Sequence, residues 1–368
     1  MRFTGKSAIG ILVVMGSVFG WGDGPDRNGS SSGTLAAAAS AVNAGGTSED
    51  GEIWVTAQNT DELKIIHGVG GIDSVTLPSG ARPHTISFSP DGSYAYVSNI
   101  GDGDLIVVRA DDRQIVATLD LGITFTHATT ASPDGAVLLS ANPFTGILTK
   151  IAADEETETW TPVASLNLLT TPIGRGPVCV TFRSDGARAY ASLFGPAGGI
   201  AIVDVPTMTL VGTLPTAGSV SGCGLVHSND GRTIFLHSAG GTGHFYRLDT
   251  WSDTLTEDTS YGPIGADLHG LAVTANEKTA YITARGVADE IKVLNLAGTD
   301  VSTILIDPRP GVADRPDSLA RKGSNLYVTV RFSGQVARIK TQTGSVEYID
   351  LAPPATSGYA VHGIAVRP

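Results

Sequence analysis

The sequence predicts an all-β fold, a seven-bladed β-propeller of four-stranded blades, closed by a C-terminal strand that completes the N-terminal blade. Three observations carry that prediction. A strand–turn–strand signature recurs along the chain, the composition favours short strands and turns, and the last copy breaks off where the first lacks its opening strand.

The signature is clearest in "RPHTISFSPDGSYAYVSN", Arg82 to Asn99, where alternating apolar residues flank an Asp-Gly turn. It returns as "THATTASPDGAVLLSAN" from Thr126 and "PVCVTFRSDGARAYAS" from Pro177. Weaker copies are "GCGLVHSNDGRTIFLHS" from Gly222, "LHGLAVTANEKTAYIT" from Leu268 and "RPDSLARKGSNLYVT" from Arg315. Aligned on His84, the units begin at 84, 127, 178, 223, 269, 317 and 362, with spacings of 43 to 51 residues. Two further alternating segments follow in each unit, as in "DLIVVRADDRQIVATLDL", which gives the four strands of a blade.

Closure follows from the two ends. "VHGIAVRP" supplies one strand at the C-terminus, and "GEIWVTAQNTDELKIIHGVGGIDSVTL", Gly51 to Leu77, supplies three with no first strand before them. Joining them removes the unpaired edges that an open array would leave.

Composition agrees. In 368 residues there are 46 glycines and 19 prolines, and only 16% of residues are charged. The formal charge of −12 argues against nucleic acid or an anionic membrane surface, both of which need a basic footprint. Arg2 and Lys6 precede an apolar run, Ala8 to Phe19, that is short for a membrane span. Residues 1–45 are therefore assigned to a signal peptide and a leader rich in small residues, and 46–368 to the propeller. The chain is expected to be exported, to the periplasm, the medium or the cell surface, with no membrane span once the leader is removed. Its two cysteines allow one disulfide.

The unit "PHTISFSPDGSYAYVSNIGDGDLIVVRADDRQIVATLDLG" resembles the YVTN-type repeat of exported bacterial seven-bladed propellers, and the resemblance extends over about residues 50–368. It implies the fold. It does not imply one function, because propellers of this kind serve as lactonases, redox-enzyme subunits, metal-site scaffolds and binding surfaces.

The first strand of each propeller blade lines the central channel, so the aligned start positions form a ring: His362, His84, His127, Val178, Cys223, His269 and Asp317. Four of the eight histidines share this one repeat position. His84, His127, His269 and His362, with Asp317 and Cys223, are candidate ligands for a transition metal such as copper, iron or zinc. The same imidazoles can instead serve as structural hydrogen-bonding groups. Cys223 has a further alternative, a disulfide with Cys179.

Arg82, Arg175 and Arg315 stand just before first strands, and Arg285 and Arg331 just after second strands. All five should open onto one face, where a collar of guanidinium groups suits an anionic ligand. Loop aspartates such as Asp314 and Asp289 are the alternative partners. The acidic stretch "ADEETETW", Ala153 to Trp160, reads as a solvated loop. Tyr96, Tyr190, Tyr281, Tyr327, Trp54 and Phe235 recur at one second-strand position and read as core.

These features favour an exported, monomeric binding or scaffold propeller that takes an anionic small molecule or an exported protein at its channel mouth. A metal-dependent enzyme (copper or iron) with a histidine cluster on the axis is the alternative, and a lactonase-like hydrolase a further one. The sequence leaves open whether the chain is an enzyme.

Overall fold

The computed structural model describes residues 51–368 apart from Val69, 174–175, Pro196, Ser221, 287–288, 310–313 and 352–359. The proposed leader and Arg175 lie outside these described residues. The strands form seven four-stranded antiparallel sheets, and Val361–Val366 pairs with Ile53–Ala57 to complete the first of them. Blade 1 is this closure blade, and blades 2 to 7 follow in chain order. Among the described residues no helix is long and apolar enough to cross a membrane.

The core is distributed. Seven clusters of buried apolar side chains each lie between two neighbouring blades, the last joining blade 7 to blade 1. The period-two pattern of a strand explains this: along Ile53–Ala57, Trp54 packs toward blade 2 while Ile53 and Val55 pack toward blade 7. The recurring aromatic position is core as expected, since Trp54, Tyr96, Tyr190, Phe235, Tyr281 and Tyr327 are all buried.

The first hairpins show why the Asp-Gly pair repeats. Asp91 accepts the Ser93 N–H at 2.9 Å, and Gly92 takes φ +76°, a left-handed conformation that costs glycine little. In blade 6 Asn276 takes over the capping role, and Glu277 is held at φ 54°.

The acidic stretch at 153–160 is the tight turn between two strands, Ile147–Asp154 and Thr159–Asn167; Asp154, Glu156 and Thr157 are exposed, as expected of a solvated loop, and two of its acids make contacts besides. Glu155 accepts the Tyr96 hydroxyl at 2.8 Å, and Glu158 accepts Arg109 Nε at 2.8 Å and the Tyr94 hydroxyl at 2.9 Å. Its acids tie blade 3 to blade 2.

Candidate functional site at the channel mouth

The ring position is built by a repeated backbone irregularity. In blades 1, 2, 4, 6 and 7 the register between first and second strands slips at His362, His84, Val178, His269 and Asp317, respectively. A bulge of this kind adds a residue to one strand and re-aims its side chain.

The extra backbone groups need partners. Thr56, opposite the bulge in blade 1, accepts the Gly363 N–H at 2.8 Å and donates its hydroxyl to the carbonyl of His84 in blade 2, at 3.0 Å. Thr283 accepts Gly270 N–H and donates to the Asp317 carbonyl, both at 2.6 Å. Thr329 accepts Ser318 N–H at 3.0 Å and donates to the His362 carbonyl at 2.7 Å. In blade 5 an imidazole occupies this position: His237 Nε2 lies 3.0 Å from the His269 carbonyl. The second-strand hydroxyl thus fixes the ring residue of the next blade. Sequence reasoning missed these residues, although their recurrence as Ser or Thr after the core aromatic was a usable signal.

The ring residues do meet. His84, His127, His269, His362 and Asp317 are all fully buried. The His84 ring lies 4.7 Å, centroid to centroid, from both His127 and His362. Asp317 sits between two histidines, with Oδ1 3.4 Å from His269 Nδ1 and Oδ2 3.2 Å from His362 Nδ1. Gln58 Nε2 lies 3.2 Å from His84 Nδ1, and His127 Nδ1 lies 3.0 Å from the Val178 carbonyl. His362 Nε2 has no hydrogen-bond partner among the described residues.

Burial and then the nearby Arg285 guanidinium hold His269 well below the usual imidazole range, against the opposing pull of Asp317. His362 is lowered in the same way by burial and then by Arg331, Arg285 and Arg82. Both rings are therefore neutral at neutral pH.

Cys223 forms a disulfide with Cys179, their Cα atoms 5.3 Å apart. This resolves the alternative left open by the sequence. A bridged sulfur is no thiolate, so Cys223 leaves the candidate ligand set. Among the described residues one group of three His, Cys, Asp or Glu side chains brings a donor atom from each within 4.8 Å of the others: His127, Cys179 and Cys223. Three nitrogens of the four ring histidines do not gather to that extent. A metal with Zn–N distances of about 2.0–2.1 Å would need a closer approach.

Four of the five expected arginines are described. Arg285 and Arg331 are almost completely buried, at 5% and 4% exposure, and Arg82 and Arg315 are half-buried. Arg285 bridges two carboxylates, with Nη2 2.7 Å from Asp267 and Nη1 3.2 Å from Asp317. Arg331 lies over the Phe332 ring at 5.0 Å, and Arg315 over the same ring at 5.8 Å. Of the two loop aspartates named as alternative partners, Asp314 pairs with Arg309, while Asp289 accepts the Asp314 N–H at 2.7 Å and a backbone hydrogen bond from Arg315, whose charge acts on it.

Arg82, Asp267 and Arg315, each just before a first strand, have φ of 51°, 51° and 53°. Non-glycine residues pay for this left-handed conformation, and such strain concentrates at functional sites.

No family model matches the chain, and no curated protein matches it. Solved structures do. Hydrazine synthase of Kuenenia stuttgartiensis is similar at 19% identity and a TM-score of 0.61, over 72% of this chain and 78% of that one. Virginiamycin B lyase of Staphylococcus aureus aligns at 15% identity and a TM-score of 0.61, over 77% and 92%. A functionally unknown protein of Desulfotomaculum acetoxidans aligns at 15% identity and a TM-score of 0.62, over 86% and 98%. At these identities the likeness is one of fold, and the fold these comparisons share with the chain is the β-propeller.

Proposed function

We propose that this chain is a binding propeller that takes an anionic small molecule at its channel mouth. Arg82, Arg315 and Arg331 supply the charge, and the imidazoles of His84, His269 and His362 form a polar floor. The observation that carries the reading is the placing of Arg82 and Arg315 before first strands and of Arg285 and Arg331 after second strands, four guanidinium groups at one end of the blades beside the buried His362 and Asp317, on a chain of net charge −12. Cations held in a low-dielectric recess attract an anion far more strongly than the same groups in water.

Export and membership of the YVTN-repeat family belong to the same proposal. They are supported by the N-terminal Arg2/Lys6 and apolar run, by the buried disulfide, and by the repeat itself.

Calorimetric titration with acetate, benzoate and inorganic phosphate tests the binding. Binding that weakens about tenfold or more in Arg331→Gln and in the less buried Arg82→Gln is expected, since a hydrogen bond to a charged group contributes roughly 1.5–3 kcal/mol. Failure of every anion to bind overturns the reading.

A metal centre on the four histidines is the second reading. It is favoured by one observation, that each ring has a protein group within 3.4 Å of Nδ1, an arrangement that orients Nε2 of metal-bound histidines elsewhere. Metal analysis of the purified protein, with His84→Ala and His269→Ala, tests it. Stoichiometric metal lost in both variants would support it, and metal unaffected by both would sink it.

A further inference from the structure

Each blade ends in an outer strand whose far edge has no strand beside it among the described residues. Such an edge offers a row of N–H and C=O groups to any extended chain, and folded proteins blunt it with bulges, charges or proline. Six of the seven outer strands carry one of these devices. In blades 2, 3 and 4 the register with the third strand slips and leaves Val116, Val163 and Val211 as bulged residues, and blade 3 adds Pro162. Asp73 stands in the outer strand of blade 1, Glu257 in that of blade 5, and Glu347 and Asp350 in that of blade 7.

The outer strand of blade 6, Val301–Leu305, carries none. Its sequence, VSTIL, has no charge and no proline, and it pairs with the strand Glu290–Asn295 residue for residue, without a bulge. Val301 is 40% exposed and Leu305 is 62% exposed, although neither stands at a bulge as Val163 and Val211 do.

The ladder tells which groups look outward. The Asp300 carbonyl accepts the Asn295 N–H, and the Ile306 N–H donates to the Asp289 carbonyl, so the even-numbered residues bond to the third strand. Val301, Thr303 and Leu305 therefore turn their backbone N–H and C=O groups away from the blade. By the period of two, their side chains share one face.

We propose that this edge pairs with the same edge of a second copy of the chain, antiparallel about a two-fold axis through Thr303. In that register Thr303 faces Thr303, and Val301 faces Leu305 of the other copy, with the outward backbone groups of each pair meeting one another. A two-fold contact needs a patch that complements itself, and the order apolar, Thr, apolar reads alike in both directions. Aliphatic and Thr–Thr cross-strand pairs are favourable, and the pairing covers both exposed apolar side chains. Charge agrees: Asp300 falls opposite Ile306 and Asp307 opposite Thr299, so no two carboxylates are opposed on a chain of net charge −12. Five residues a side cover less than the ~800 Å² per partner of a stable interface, so the dimer is a weak one and not the monomer expected from the sequence.

Sedimentation velocity of the full protein from about 10 to 500 μM, a range suited to so small a contact, tests the pairing in wild type, Thr303→Lys and Thr303→Val. Thr303 is exposed, so neither change threatens the fold. A monomer–dimer equilibrium is expected, weakened about tenfold or more by Thr303→Lys, which sets two ammonium groups face to face, and kept in Thr303→Val. Thr303→Cys should be joined to its counterpart by a short bis-maleimide, since Cys179 and Cys223 are bridged and leave it as the free thiol. A wild type that stays monomeric to the top of the range, or a dimer that Thr303→Lys leaves intact, overturns the proposal. So does a dimer in which the two 303 positions do not cross-link, because its interface lies elsewhere.

Discussion

Blades 4 and 5 and the arc from blade 6 through blade 3 build the same ring position in opposite ways. In blades 4 and 5 it holds Val178 and Cys223, and Cys179 and Cys223 staple the two blades covalently. In the other arc it holds four imidazoles and a carboxylate, all fully buried and held by neighbouring blades through hydrogen bonds. The difference teaches that repeat geometry fixes where a side chain points but leaves each sector free to be inert or reactive.

The largest expected effect is on acid stability, to which buried histidines of both sectors contribute. His227 and His237, in blade 5, are lowered to about 4 by burial, and His269 and His362, in the polar arc, are lowered well below the usual range. A histidine whose folded pKa is depressed is fully stabilising above its unfolded pKa of about 6.5 and loses that contribution as pH falls toward the folded value. Each such ring should cost about 1.4 kcal/mol per pH unit in that window. Urea unfolding between pH 7 and pH 4.5 should show the loss, with no change above pH 7 from these groups. A flat profile down to pH 5 would show that these rings are not buried as described.

Next in size, Asp317→Ala removes the carboxylate that faces Arg285, His269 and His362, and leaves a buried guanidinium with one carboxylate fewer. A loss of about 3–5 kcal/mol is expected from chemical denaturation. Asp317→Asn should recover part of it by keeping the shape. A loss below about 1 kcal/mol in Asp317→Ala, the worth of a surface pair, would deny that this carboxylate organises the arc.

Cys223→Ser probes the opposite sector. Opening a bridge across 44 residues costs about 4 kcal/mol in the chain-entropy account. Benzoate affinity should not follow, because the staple lies away from the arginine side. An affinity that collapses with the disulfide would erase the contrast between the sectors.

A smaller effect is expected for Thr329→Val, which keeps shape but deprives the His362 carbonyl and the Ser318 N–H of a partner. About 1–3 kcal/mol is expected. Val in place of Thr without any loss would remove the inter-blade hydroxyl from the account.

The propeller, its closure and the ring position were legible in the sequence because each rests on a period, and a period survives without coordinates. Arg285 and Arg331 were expected in loops opening onto the mouth; that both are buried, and that Arg285 pairs with Asp267 and Asp317, was not legible. What was not legible depends on distances between blades. The pairing of Cys179 with Cys223 was one of two open alternatives. Gln58 sits at no repeated motif, and the bulge at His84 is a matter of one extra residue that leaves the apolar alternation intact. The partners of Glu155 and Glu158 were hidden because they belong to a neighbouring blade, so a charge run alone looked solvated.

The central claim is that His362 is a neutral floor beneath arginines that accept an anion. The most direct measurement is a histidine-resolved NMR titration of the isotope-labelled protein between pH 7.5 and 5, with and without benzoate, using His362→Gln for assignment. The account predicts that His269 and His362 stay neutral across the range, and that benzoate shifts His362 and His84 while leaving the turn residue His67 unmoved. A His362 ring that titrates near pH 6.5 and ignores benzoate would contradict it.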